Sequence, residues 1–189
     1  AMTSGAQPQY YESYEVRTIE NNLYEEIINK KNQGQYANNT EFSNALQQAS
    51  TLLKFVDPEY PQWATHKISL DAYKAKNIRL IWRNNTNNKT AILISSVKVN
   101  KSIEEPETGL NENFRENELP EEWERNGDPK VWRFWKDFSS SMVHNGNMIM
   151  KGYYVYFDSY QADKFAEGGL VTPPFTPSQN YHILYYEVQ

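Results

Sequence analysis

Apolar side chains recur at two periods along this chain. They fall three or four residues apart near its start and two apart over much of the remainder, which predicts helices first and strands afterwards. Val16, Ile19, Leu23 and Ile27 are spaced to line one helical face, with Glu12, Glu15, Glu20 and Glu25 toward the start. Lys30 and Lys31 suit its last turn, and Gly34 ends it. A second helix is predicted from a cap at Asn39 or Thr40, with Phe42, Ala45, Leu46, Ala49, Leu53 and Val56 as its stripe and Asp57-Pro58 as its stop. Joined by a short polar loop, the two read as an αα-hairpin that needs a surface to cover its apolar side.

Beyond a proline-punctuated loop, Ile68, Leu70 and Tyr73 suit either a strand or a short helix. The runs 77–83 and 90–99 flank a polar turn and predict a hairpin. Ile78, Leu80 and Trp82 fall on one side of its first strand, with Arg79, Ile81 and Arg83 on the other. From residue 103 to about 125, Pro106, Gly109 and Pro120 with few apolar residues predict a long loop, with a helical turn at most at 121–124. Asp128 and Pro129 open a third predicted helix carrying Val131, Phe134, Trp135, Phe138 and Met142. Residues 148–158 are apolar on both alternating faces, as in a central strand; 162–167 read as a helical turn and 181–188 as a closing strand. The predicted fold is therefore α+β. It has an N-terminal helical hairpin followed by a mostly antiparallel sheet of about five strands, with one further amphipathic helix packed on it. Residues 1–10 read as a tag remnant and linker, and 11–189 as a single domain.

Composition narrows the classes. Only 39% of the residues are apolar, but aromatics reach 14%, enough bulky material for a packed core. No run approaches the roughly 20 apolar residues of a membrane span, so membrane insertion is not expected. The net charge of -5 comes from one segment: residues 103–124 hold nine acidic side chains against one basic, while the remainder has 18 basic and 15 acidic. The basic residues elsewhere are scattered, which argues against a nucleic-acid partner. With no cysteine there is no disulfide, thiolate nucleophile or Cys-held metal. The bias toward Asn, Lys, Ile and Tyr suggests an AT-rich genome, that of a low-GC bacterium or a virus, and an exported, cell-surface or virion-associated setting. Asn38, Asn84, Asn88 and Asn100 begin Asn-x-Ser/Thr triplets, as chance alone produces in so Asn-rich a chain.

Chemistry-bearing constellations are sparse. His66, His144 and His182 stand apart from one another and from any ligand set, so no metal site is expected. His144, close to Ser139, Ser140 and Ser141, could act as a general base for Ser141, although a polar helix end is the commoner reason for such a cluster. Glu121, Glu122 and Glu124 around Trp123 could supply a glycosidase pair, which needs carboxyls roughly 5 to 9 Å apart; a solvated charged loop is the simpler reading. No phosphate loop, dinucleotide fingerprint or nucleophile elbow occurs, and no cofactor is expected. Tyr60, Trp63, Trp123 and Trp132 are the candidate binding aromatics. The expected function is a non-enzymatic protein-binding domain, excised from a larger bacterial or viral surface or effector protein. A carbohydrate-binding module is one alternative, and a hydrolase or toxin-like transferase using His144 or the Glu121–Glu124 cluster is the other.

Overall fold

The computed structural model describes residues 13–56, 64–84, 91–100, 110–116, 118–127, 132–134, 143–144, 147–148, 155–158 and 168–188. Among the described residues it is mostly β: a five-stranded and a six-stranded antiparallel sheet, a two-stranded ribbon and two α-helices, which overturns the expected arrangement of a helical hairpin and one further helix on a five-stranded sheet. The correction begins at the first element. Tyr14–Glu20 is a strand, β1, and helix α1 starts only at Asn21 and runs to Asn32. Val16 and Ile19 matched the helical spacing of Leu23 and Ile27 by coincidence, and the β-branched Val16, Thr18 and Ile19 favour a pleated strand. The expected end of α1 is observed. Gly34 adopts φ +71°, its amide donates to Lys31 O and the Gln35 amide donates to Lys30 O, the double bond of a Schellman turn.

Helix α2 spans Asn39–Ala49 and is capped by Asn38 rather than the expected Asn39 or Thr40; its side chain accepts from the Glu41 amide at 2.9 Å, and the Glu41 carboxylate accepts from the Ala37 amide. Phe42 and Leu46 are buried as expected, but Leu53 and Val56 belong to a strand, β2 (Thr51–Val56). Strand β3 (Ala64–Ser69) leads into a 3-10 turn at Asp71–Tyr73, so that stretch holds both a strand and a helical turn.

Strands β4 (Ile78–Asn84) and β5 (Ala91–Asn100) form where expected but do not pair with each other. After β6 (Asn111–Glu112) and β7 (Glu124–Gly127) comes β8, Trp132–Phe134, within the span expected to be the third helix. Trp132 and Phe134 point the same way at a spacing of two and are both fully buried, a strand period rather than a helical one. The other residues of that predicted stripe, Val131, Trp135, Phe138 and Met142, lie outside the described residues, as does 162–167. Val143–His144 and Asn147–Met148 pair as β9 and β10. Val155–Asp158 (β11), Gly168–Val171 (β12) and Ile183–Val188 (β13) complete the strands; β11 lies inside a sheet, as its two-faced apolar pattern predicts.

The first sheet has the order β2-β1-β4-β12-β7. The second has the order β3-β13-β5-β11-β8, with β6 beside β5. Their facing sides share one core. Tyr14, Val16, Leu80, Trp82 and Leu170 of the first sheet meet Ile94, Val97, Phe157, Leu184 and Tyr186 of the second. Trp82 sets its ring edge-on to Tyr186 with centroids 5.7 Å apart. The opposite side of the first sheet carries Ile19, Ile81 and Val171, covered by Tyr24 and Ile27 of α1 and Phe42 and Leu46 of α2. The layers are therefore helices, sheet, sheet. The alternation in β4 settles its two faces as the sequence predicts, with Leu80 and Trp82 toward the second sheet and Ile81 toward the helices.

Candidate functional site

The helix-covered face of the first sheet carries charged residues at strand positions that are buried from both sides. Arg79 on β4 is held through two of its nitrogens: Nε donates to Asn21 Oδ1 at 2.7 Å, and Nη1 donates to Glu124 Oε1 at 2.9 Å and to Thr172 O at 3.2 Å. Its guanidinium lies 4.8 Å from the centre of the Tyr24 ring, and the Tyr24 hydroxyl donates to Glu124 Oε2 at 2.7 Å. Burial, followed by that carboxylate bond, pushes the Tyr24 hydroxyl well above the ordinary tyrosine range, so it stays a neutral donor.

A second group gathers where α2 crosses β1 and β4. Arg17 Nε donates to Ser50 Oγ at 2.8 Å, Nη1 to Glu15 Oε2 at 2.9 Å, and Nη2 to the carbonyls of Gln47 and Ser50 at 3.0 Å each. These bonds hold the end of α2 against the sheet, with the Arg17 fork serving its orphan carbonyls. Arg83 Nη2 donates to Ser43 Oγ at 3.2 Å, and Arg83 Nη1 lies 3.7 Å from Glu15 Oε2. Arg17, Ser43, Ser50, Arg83, Asn126 and Gly169 are among the residues that line a cleft of about 20 Å³ here. Gly169 keeps it open and pinned. Its amide donates to Asn126 Oδ1 at 3.0 Å, and a Cβ there would stand 2.7 Å from that oxygen and 3.0 Å from Ile81 Cγ2. Sequence reading passed over this group because it weighed the basic residues as scattered; the available signal was Arg17 and Arg83 inside β-rich runs, where a charge needs partners.

Strand β2 forms one edge of the same sheet, with β1 as its strand neighbour among the described residues. The register with β1 shifts between Val16 and Arg17, which face Lys54 and Leu52, leaving Leu53 as the extra residue of a bulge. The bulge places Leu52 and Phe55, three apart in sequence, opposite Arg17 and Glu15 on the helix-covered side. Both are open to solvent, at 46% and 48% exposure, and with Leu23 they are the exposed large apolar side chains among the described residues. On the inner side Lys54 Nζ meets His66 Nδ1 of β3 at 2.7 Å, and the His66 ring stacks on Tyr186 with centroids 5.1 Å apart.

Some of the candidate residues of the sequence fall among the described residues. Trp123 and Trp132 are buried at 5% and 0% exposure. Trp123 stacks on Trp82 and Trp132 meets Phe157 edge-on, so packing occupies their faces. Tyr60, Trp63 and Ser141 lie outside the described residues; of His144 only the strand backbone is described. Glu121 and Glu122 are exposed in a turn, Glu122 with φ +63°, while Glu124 is held by Arg79 and Tyr24. His182 Nε2 lies 3.6 Å from Asp71 Oδ1. Lys74, then Ser69, holds the exposed Asp71 carboxyl below its usual range. Asn38 of the first Asn-x-Thr triplet serves as a helix cap, and Asn100 is buried. Among the described residues no three metal-ligating side chains cluster, and no helix is long and apolar enough to cross a membrane.

Set against family models, curated proteins and solved structures, the chain matches none.

Proposed function

We propose that this chain is a non-enzymatic protein-binding domain that takes an extended, apolar segment of a partner protein onto the edge of β2 that faces away from β1. The observation that carries the proposal is the pair Leu52 and Phe55, about half exposed on one face of an edge strand. An edge strand offers a row of main-chain donors and acceptors, and protein surfaces normally blunt such an edge with charge or bulge. Here the bulge turns two large apolar side chains outward together, which is the arrangement β-strand addition uses: main-chain bonds for affinity, side-chain contacts for choice. The chain continues from Phe55 into the segment that carries Tyr60 and Trp63, so the aromatics picked out from sequence adjoin this edge along the chain.

Panning displayed random peptides against the whole chain tests the reading. Peptides with apolar residues at alternate positions should be enriched, should slow hydrogen exchange of the β2 amides, and should lose binding to Leu52→Asp and Phe55→Asp. Both positions are solvent-exposed, so these variants should fold with stability changed by about 0.5 kcal/mol or less. Peptides that bind both variants as tightly as the parent chain, or a library that yields none, would refute the proposal.

A further inference from the structure

Resting on the reading of β2 as the docking edge, we infer that the segment it takes carries an acidic side chain between two apolar ones, and that Lys54 pairs with the acid. Lys54 lies on the inner side of β2, opposite Val16, whereas Leu52 and Phe55 lie on the helix-covered side. Its ammonium is held in place rather than swinging free in solvent. It is partly buried, with Nζ 2.7 Å from His66 Nδ1 of β3, the edge strand of the second sheet. An ammonium has donors only, so Nδ1 accepts, and the bond uses one of three ammonium hydrogens without bringing a negative charge.

Charge complementarity is the first reason. Among the described residues no carboxylate pairs with Lys54. The acidic groups of the adjoining strands are committed elsewhere: Glu15 of β1 to Arg17 on the helix-covered side, and Glu187 of β13 to Ser95. Tyr186, on which His66 stacks, is a hydroxyl bonded to Tyr14. A partly buried cation with donors to spare favours a ligand that brings a carboxylate. Strand geometry is the second reason. Leu52 and Phe55 face Arg17 and Glu15, two residues apart on β1, so the bulge gives them the spacing of two ladder positions. A strand added beside β2 would lie about 4.8 Å away and turn its side chains alternately to the two faces. Two of its apolar residues would then meet Leu52 and Phe55. The residue between them would point to the Lys54 side, where a Glu runs alongside the lysine stem toward Nζ.

The test uses the whole chain and short displayed peptides in which two apolar residues flank one randomised position. Selection should leave Asp or Glu at that position. In the selected peptide, Gln in place of the acid should weaken binding about fivefold at low salt, a difference that shrinks as salt rises. Lys54→Met keeps an apolar stem and removes the charge; it should still bind, holding the acidic peptide and its amide twin alike. Peptides selected with no acidic preference overturn the pairing and leave the β2 reading standing, as does a folded Lys54→Met that still discriminates the two. A library that yields no binder overturns both. Should Lys54→Met fail to fold, Lys54→Gln takes its place under the same criterion.

Discussion

Raising the pH above about 10, the ordinary tyrosine pKa, should unfold this protein through three buried hydroxyls. Tyr14 and Tyr186 face each other across the sheet interface, with Tyr14 donating to Tyr186 at 3.2 Å and the rings edge-on at 6.3 Å; Tyr24 lies under α1, bonded to Glu124. Burial raises all three pKa values well above the ordinary tyrosine value, and the neighbouring hydroxyl raises Tyr14 further. A folded-state pKa above the unfolded one means that the stabilisation is complete below the unfolded value. It is lost as pH climbs beyond that value, because only the unfolded chain releases the proton. Between about pH 9 and pH 11 each such tyrosine removes about 1.4 kcal/mol, and the three together about 4 kcal/mol, a large part of a typical domain's 5 to 15 kcal/mol. Urea midpoints across that range would measure the loss. Tyr14→Phe should be less stable at neutral pH by about 1 kcal/mol, for the lost hydrogen bond, yet shed about a third less stability on going to high pH. A midpoint that holds steady through pH 11, or a Tyr14→Phe profile parallel to the parent's, would refute the argument.

Arg17→Ala should cost about 3 to 5 kcal/mol by removing the nearer of the two guanidinia beside the buried Glu15 together with the bonds that hold the end of α2, and urea unfolding that shows no loss would contradict it. Trp132→Ala should lose about 3 to 5 kcal/mol, since the ring is fully buried against Phe157, and an unchanged calorimetric melting temperature would show that the ring is not core. Gly34→Ala should cost about 1 kcal/mol from the left-handed backbone alone, because no atom lies within 4 Å of the added methyl, and Gly34→Asn should cost less in the same melts.

Features set by a few neighbouring residues were legible in the sequence. The Phe42–Leu46 part of the α2 stripe, Gly34 as a helix stop, the opposed faces of β4 and the closing strand each depend on a side chain's relation to residues within a turn or two, which spacing records. Tertiary structure decided the rest. β1 is buried on both faces, so Glu15 and Arg17 sit among core residues and erase the alternation that would have marked it as a strand. Whether β4 and β5 pair with each other or join separate sheets depends on what each strand edge finds beside it, which no local period encodes. The same holds for the basic cleft. Arg17, Arg83, Ser50 and Gly169 come from four separate elements or their ends, and only the stacking of α2 on the first sheet brings them around one cleft.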